Sequence, residues 1–189
     1  MQTGNHLVIR SFVVLVFVAV GTFGCSAAPA QPETSNLLGP TYTALSETDA
    51  IDLVEETYGA FVAVADQVLA DGGKKPERLG AVATGSALTS AESDAHDFMV
   101  SKVHSVGKTK ISNVTIQSYG SSSELSNDLY AYLCEDVSEI DVIDENGKSL
   151  VAPDRQPRQA FEVALSDDDS DGDYLVSSRE TWQGAGVCV

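Results

Sequence analysis

The sequence predicts an α+β fold in which three N-terminal helices pack on a strongly curved antiparallel sheet of four to six strands. Two patterns lead to this prediction. From about residue 46 to 106, apolar residues recur every three or four positions, which is the spacing of amphipathic helices. From 108 onwards, short runs rich in β-branched residues alternate apolar with polar positions, which is typical of strands. Helices that precede the strands favour packing on one face of an antiparallel sheet.

The first 24 residues have the three parts of a secretory signal peptide. Arg10 supplies a positive charge, residues 12–20 form an apolar run, and small residues lead up to Cys25. The apolar run is too short to span a bilayer of about 30 Å as a helix. The sequence therefore predicts an exported protein whose residues 1–24 are removed.

Residues 22–25, Thr-Phe-Gly-Cys, resemble the lipobox of bacterial lipoproteins. The resemblance implies a diacylglycerol group on Cys25, which would anchor the protein to the cell membrane, facing outside the cytoplasm. The alternative is an ordinary cleaved signal in which Cys25 has no such role. Residues 25–45 are small, polar and proline-containing, which predicts a flexible tether before a domain over 46–189.

Capping residues and prolines set the expected bounds of the first two helices. Ser46 with Asp49 offers the pattern of a capped helix N-terminus, and the apolar stripe behind it predicts a long helix over about 48–70. A second, short helix begins near Pro76, which suits the first turn of a helix, and is expected to end at Gly85.

A third helix is predicted over about 87–106, with Gly107 as its stop signal. His96 and His104 would both lie on this helix. Histidine can act as a base or a metal ligand, but a spacing of eight residues does not suit one metal ion on a straight helix. We therefore interpret both histidines as flanking or surface residues.

The sheet is predicted to begin with a strand over 108–118. The longest strand-like run, 127–144, is expected to be the central strand. Its alternation slips near 134–138, which predicts a bulge that bends the sheet. Asn146-Gly147 then gives a strong hairpin signal, and 149–152 should pair back. Two further strands are expected over 158–166 and 174–182.

Several of these segments resemble one known family. The long first helix, residues 73–79 (Gly-Lys-Lys-Pro-Glu-Arg-Leu), and the run 134–144 before a strand ending in Trp182 look like small actinobacterial lipoproteins of the nuclear transport factor 2-like superfamily. The resemblance covers about 46–188 and implies a cone-shaped domain with a pocket at its open end. Members include ketosteroid isomerase-like and polyketide cyclase-like enzymes and many non-catalytic modules, so this resemblance does not fix the activity.

Two cysteines remain for the folded domain once Cys25 is assigned to lipidation. An exported domain lies in an oxidising compartment, where thiols pair. We expect a disulfide between Cys134, in the central strand, and Cys188, in the C-terminal tail. The alternative is two free thiols.

An acidic loop over 167–173 partly matches a calcium-binding loop. Asp167, Asp169 and Asp171 take alternate positions, as hard carboxylate ligands of Ca²⁺ do. However, Ser178 stands where the bidentate glutamate belongs, and strands rather than helices flank the loop. We interpret it as a solvated hairpin loop, with a weak calcium site as the alternative.

No catalytic constellation or cofactor motif is evident in the sequence. Tyr58, Tyr130 and Tyr132 could present hydroxyls to a cavity, but half-buried core tyrosines are the simpler interpretation. The formal net charge of −17 predicts a surface that repels nucleic acid and anionic lipid headgroups, so binding to nucleic acid is disfavoured. No cofactor is predicted.

The sequence favours a membrane-anchored, non-catalytic module that binds a small apolar ligand or an envelope partner. One alternative is an isomerase, dehydratase or cyclase acting on a small organic substrate, and another is an assembly module that dimerises through its open sheet face. The pocket discriminates between them, because an enzyme needs a titratable group with a perturbed pKa inside it. A binding module needs only an apolar lining with a few polar groups.

Overall fold

The computed structural model describes residues 45–119, 128–167 and 172–189. The predicted signal peptide (1–24), the lipidation site Cys25 and most of the tether (25–45) lie outside the described residues and stay predictions. Within these described ranges, two α-helices and one 3₁₀ helix precede six strands. Their bounds are α1 Glu47–Ala70, the 3₁₀ helix Pro76–Ala81, α2 Gly85–Ser101, β1 His104–Val106, β2 Lys110–Tyr119, β3 Leu129–Asp136, β4 Asp141–Ile143, β5 Arg158–Ser166 and β6 Leu175–Thr181.

Helix α1 begins as its sequence predicts. The Ser46 hydroxyl accepts a hydrogen bond from the backbone N–H of Asp49 at 3.1 Å, which satisfies one of the free donors of the first turn. The helix ends at Ala70, where Gly72 and Gly73 adopt positive φ angles of 69° and 75°. The expected helix over 48–70 is therefore confirmed.

The second predicted helix is a single 3₁₀ segment, and Gly85 does not end it. Val82 caps the 3₁₀ helix, and Gly85 is instead the first residue of α2, with Thr84 at the N-cap. Gly85 has φ of 54°, and a Cβ there would lie 2.8 Å from the carbonyl oxygen of Ser177. Glycine is therefore required for the close approach of α2 to β6, rather than for a helix stop.

The third predicted helix is too long. Helix α2 ends at Ser101, because Lys102 adopts the left-handed conformation (φ 55°, ψ 44°) that closes a helix C-terminus. The prediction that His104 lies on a helix is wrong, since His104 opens strand β1. His96 does lie on α2, where it is exposed.

The strands form two antiparallel sheets. A four-stranded sheet has the order β2-β3-β5-β6, and a two-stranded sheet pairs β1 with β4. The predicted central strand 127–144 is thus two strands in different sheets, because the chain leaves the larger sheet after Asp136 and turns before Asp141. No bulge accounts for the slipped alternation at 134–138. Register shifts lie instead on β2, between Ser112 and Thr115 and between Ile116 and Ser118.

The hairpin at Asn146-Gly147 is confirmed. The N–H of Gly147 donates to the carbonyl of Asp144 at 3.0 Å, and Ile143 bridges antiparallel to Ser149. The strands expected near 108–118, 158–166 and 174–182 are confirmed as β2, β5 and β6.

The core lies between the helices and one face of the curled four-stranded sheet. It joins the buried side of α1, including Val54 and Phe61, to inward-facing residues of β3 and β5, such as Leu133 and Val163. The α+β class, with helices on one face of the sheet, is confirmed. Within the described ranges, every helix is too short or too polar to cross a membrane.

Candidate ligand cavity

A cavity of about 210 Å³ lies between the two helices and the inner face of the larger sheet. Its helical wall is mostly apolar and includes Phe61, Ala65, Ala91 and Phe98. Its opposite end is polar and charged. This end holds Glu135, Arg155 and Arg179, whereas two further charged groups of the lining, Asp66 and Asp94, lie on the helices.

Three side chains from distant parts of the chain form a hydrogen-bonded cluster beside this polar end, in which Tyr58 and Glu135 are buried and Arg179 is half-buried. The hydroxyl of Tyr58 donates to Oε1 of Glu135 at 2.5 Å. Arg179 donates from Nε to the Tyr58 hydroxyl oxygen at 2.9 Å and to Glu135 Oε1 at 3.0 Å, and from Nη2 to Glu135 Oε2 at 2.7 Å. We call these three residues the Tyr58–Glu135–Arg179 cluster.

The strand alternation places the cluster on the inner face of the sheet. Glu135 follows Leu129, Ala131 and Leu133 at intervals of two, so its side chain points to the core side, where it is only 6% exposed. Arg179 lies opposite Val163 in the β5–β6 register, on the same face. A buried carboxylate is stable only when paired, and the cluster supplies the partner.

The guanidinium of Arg179 is held on a second side as well. Its central carbon lies 3.6 Å from the ring centroid of Phe161, which is a cation–π contact. Within the described part of the chain, Nη1 of Arg179 makes no hydrogen bond. Nη1 is therefore a donor that the cluster does not use, on a residue that also lines the cavity.

The cluster sets the protonation of Tyr58 and Arg179. Burial, reinforced by the negative charge of Glu135, raises the pKa of Tyr58 well above its usual value of 10.0. Burial is the largest effect on Arg179 and alone would lower its pKa, but the hydrogen bonds and charge interactions with Glu135 and Tyr58 together outweigh burial and raise it. Tyr58 is therefore neutral and Arg179 charged throughout the physiological range.

A second arginine closes the cavity at the turn after β3. Nη2 of Arg155 donates to the carbonyls of Val137 and Ile140 at 2.8 and 2.9 Å. These bonds hold the turn between β3 and β4 against the cavity, and they use only one of the terminal guanidinium nitrogens. On the opposite wall, Asp66 accepts from the backbone N–H and the hydroxyl of Thr109 at 2.8 and 2.9 Å.

Asp94 lines the cavity with an exposed side chain whose pKa is raised. Partial desolvation raises the pKa, the nearby charge of Arg179 lowers it, and Asp97 raises it, with a net increase. It makes no ion pair with Arg179 within 4.0 Å among the described residues. A carboxylate that holds its proton more tightly than usual can exchange one with a ligand.

The tyrosines do not present their hydroxyls to this cavity. Tyr58 is fully buried and its hydroxyl is bound within the cluster, so it is a core tyrosine. Tyr130 and Tyr132 point to the outer face of the sheet. The Tyr132 hydroxyl there accepts from Gln117 at 2.6 Å, and its ring packs against Trp182 with centroids 4.5 Å apart.

The expected disulfide is present. Cys134, which is fully buried, is bonded to Cys188, and the two Cα atoms lie 5.1 Å apart. The C-terminal tail is held on both sides of this bond. Asn113 donates to the carbonyl of Val187 at 2.8 Å, and Arg158 donates to that of Val189 at 3.2 Å.

The acidic loop is only partly described. Asp169 and Asp171 lie outside the described residues, so the weak calcium site stays a prediction. Asp167 accepts a hydrogen bond from the backbone N–H of Gly172 at 3.1 Å, as a turn-forming aspartate does. Elsewhere in the described ranges, no three acidic, histidine or cysteine side chains are grouped to hold a metal ion.

Sequence reasoning missed the cluster because its members are far apart in the chain. Tyr58 and Glu135 are separated by 77 positions, and Tyr58 and Arg179 by 121. One signal was available. Glu135 continues the inward-facing series Leu129, Ala131 and Leu133, and a charge on the core side of a strand predicts a buried partner.

Comparisons with known proteins give little further information. No family model matches the chain, and no curated protein matches it. Among solved structures, the intermembrane-space region of the chloroplast protein ARC6 is similar, with a TM-score of 0.48 and 12% sequence identity. The match covers 69% of this chain and 95% of that one. A likeness this low carries no argument about function.

Proposed function

We propose that this protein is an exported, lipid-anchored, non-catalytic binding module that holds a small, largely apolar organic acid in its cavity. The observation that carries the proposal is the composition of the cavity, which is apolar on its helical wall and has Arg179 and Arg155 at the other end. Such a pairing of apolar lining with a few placed polar groups is typical of small-molecule sites.

The lining holds two arginines and three carboxylates, so the remaining hydrogen-bond donors of the arginines, rather than net charge, favour an acid over a neutral ligand. Arg179 has its charge balanced by Glu135 but keeps Nη1 as a donor, and Arg155 binds only uncharged carbonyls among the described residues. A carboxylate that reaches both guanidinium groups would gain charge-assisted hydrogen bonds, the strong kind. An alcohol of the same length would gain only weaker ones.

The size of the cavity limits the ligand. At about 210 Å³ it falls below the range of roughly 300–1,000 Å³ that holds drug-sized molecules. A medium-chain carboxylic acid is a ligand of suitable size, whereas a full-length acyl chain is too large unless the cavity opens.

An isomerase-type enzyme is the alternative, and Asp94 is the observation that favours it. This carboxylate lines the cavity and has a raised pKa, which suits a general base or acid. The tightly paired Glu135, in contrast, is held by two partners and is better suited to positioning Arg179. No histidine lines the cavity within the described ranges.

The outer face of the sheet supports the assembly alternative. Tyr130, Tyr132 and Trp182 form an aromatic patch there, with Tyr130 36% exposed. Aromatic residues are enriched at protein interfaces, so a homodimer or an envelope partner would use this face.

The proposal also includes the location of the protein outside the cytoplasm. The Cys134–Cys188 disulfide supports an oxidising, extracytoplasmic compartment. Anchoring through Cys25 and membership of the cone-shaped nuclear transport factor 2-like superfamily are the further parts of the proposal. They are supported by the lipobox-like segment and by the helices-then-sheet order of the chain.

The test is a calorimetric titration of the chain from residue 26 onwards with linear carboxylic acids from butanoate to hexadecanoate. We expect affinity to rise with chain length up to about octanoate and then to fall, because each buried CH₂ contributes about 0.8 kcal/mol until the cavity is full. The matching alcohols should bind more weakly.

A pair of variants on the same helix provides the control. Ala65→Phe fills the cavity and should abolish binding, whereas Ala63→Phe adds the same ring at an exposed position of α1 and should not. Equal binding by both variants, or no binding of any acid by the wild-type protein, would refute the ligand proposal. Turnover of a bound acid, lost in Asp94→Asn, would instead favour the enzyme.

A further inference from the structure

A basic groove lies on the surface at the far end of the helices, distinct from the cavity. It is lined by the loop after α1, the C-terminal end of α2, β1 and the β4 hairpin. Four of the chain's 11 lysines and arginines line it. These groove cations are Lys74, Lys75, Arg78 and Lys102.

This concentration of positive charge stands out in a chain with a formal net charge of −17. The acidic groups in the groove lining are Asp71 and Glu145. Asp71 is paired with Arg78 at 2.7 Å, while Glu145 is 3.9 Å from Lys102, with both of the latter side chains more than two-thirds exposed. Screening by solvent makes that second pair weak, so Lys74, Lys75 and Lys102 are exposed cations.

The backbone of the groove is unusual at two of these lysines. Lys75 (φ 57°) and Lys102 (φ 55°) adopt the left-handed conformation that glycine adopts at little cost. Of the described non-glycine residues, only these and Asn113 have positive φ. Left-handed lysines lose stability relative to glycine, and residues held in such strained conformations cluster at functional sites.

Exposed apolar side chains border the groove. Met99, which is 50% exposed, lines it, and the neighbouring Val100 is 65% exposed. Val106 lies on the same side of β1 as His104, a groove residue, because alternate residues of a strand share a face. Lysines beside exposed aliphatic side chains are the features of a surface that lies on an anionic membrane.

We propose that the basic groove docks the domain on a membrane surface rich in anionic phospholipid headgroups. Phosphate groups would lie among Lys74, Lys75 and Lys102, and Met99 and Val100 would enter the interface. The inference rests on the lipid anchor of the proposed function for its biological setting. A lipid anchor would hold the domain close to the membrane, and weak docking suffices at the resulting high local concentration.

The test is co-sedimentation of the unlipidated chain, from residue 26 onwards, with vesicles of phosphatidylcholine alone or mixed with phosphatidylglycerol. This chain retains every described residue but lacks the Cys25 lipid. Any binding to vesicles therefore comes from the protein itself. We expect binding only to the mixed vesicles, and we expect it to weaken as salt concentration rises.

Two glycine variants separate docking from folding. Lys75→Gly and Lys102→Gly each remove one groove charge and relieve the left-handed strain, so each should weaken vesicle binding about fivefold while the melting temperature stays the same or rises. Lys108→Ala, an exposed lysine outside the groove, is the matched control and should bind as the wild type does.

Three results would overturn the proposal. They are binding that does not require phosphatidylglycerol, binding unchanged in both glycine variants, and saturable binding of inorganic phosphate with no added affinity for vesicles. The last would assign the groove to a soluble anion. Ala65→Phe, which fills the cavity, should dock like the wild type, so failure of the ligand proposal and failure of docking are distinguishable.

Discussion

At the scale of single residues, the Tyr58–Glu135–Arg179 cluster decides both packing and chemistry. It places a carboxylate that is 6% exposed between a neutral donor and a cation, which removes most of the cost of burying its charge. It also orients Arg179, so that one guanidinium nitrogen remains for the cavity. Arg179 therefore stabilises the fold and would also bind the proposed ligand.

Replacing Tyr58 with phenylalanine should reveal the raised pKa of its hydroxyl. At neutral pH we expect Tyr58→Phe to lower the free energy of unfolding by about 1–3 kcal/mol, because Glu135 and Arg179 each lose a buried partner. Above pH 10.0, the unfolded wild-type chain releases the Tyr58 proton while the folded chain retains it. Wild-type stability therefore falls with pH in that range, and the difference from the variant should shrink.

The measurement is urea unfolding of both proteins from pH 7 to 11. Tyr130→Phe, on the outer face of the sheet, is the control. It removes a tyrosine hydroxyl but leaves no buried group without its partner. A difference between wild type and Tyr58→Phe that stays constant across this range would contradict the account of the cluster.

At the scale of elements, the loop after α1 is fixed by the contact of Gly73 with α2. Gly73 is buried and has φ of 75°, and a Cβ at this position would lie 1.8 Å from the carbonyl oxygen of Ala95. Gly147, in the β4 hairpin, has a similar φ of 79° but no atom within 4 Å of the equivalent position. The two glycines thus share a conformation and differ only in packing.

This difference predicts unequal effects of alanine. Gly147→Ala should cost about 1–2 kcal/mol, the penalty of the left-handed conformation alone. Gly73→Ala should cost several kcal/mol more, because backbone of α2 must move to admit the methyl group. Thermal unfolding of the two variants measures both costs, and equal losses would show that Gly73 does not fix the approach of α2.

The C-terminal tail is held by its disulfide. Cys134 and Cys188 are 54 positions apart, and closing a loop of this length stabilises the folded state by about 4 kcal/mol in the chain-entropy estimate. The double variant Cys134→Ala/Cys188→Ala should lose stability of that order in urea unfolding. A reductant should lower the wild-type midpoint and leave the double variant unchanged, so a wild-type midpoint that does not respond would contradict the prediction.

At the scale of the whole molecule, the order and type of most elements follow from the sequence, because capping residues and alternation are local signals. Ser46 marks the start of α1, and Asn146-Gly147 marks the hairpin. The end of α2 could not be predicted from the sequence, because Lys102 takes the position after the helix where a glycine usually ends it. Strand β1, with three residues, is too short to give a periodic pattern.

The site could be predicted less well than the fold. The cavity depends on how α1, α2 and both sheets pack, and no local pattern records that arrangement. The sequence also did not predict that the run 127–144 divides between two sheets, because the pairing of β4 with β1 is a long-range contact. Only the inward-facing Glu135 gave a local signal of the buried cluster.

Native mass spectrometry of the chain from residue 26 onwards, purified from an oxidising host, tests the central claim most directly. We predict a co-purifying small acid of a few hundred daltons or less on the wild-type protein and on Ala63→Phe, and its absence on Ala65→Phe. A bare wild-type monomer that also binds no added medium-chain acid would contradict the claim that the cavity is a ligand site.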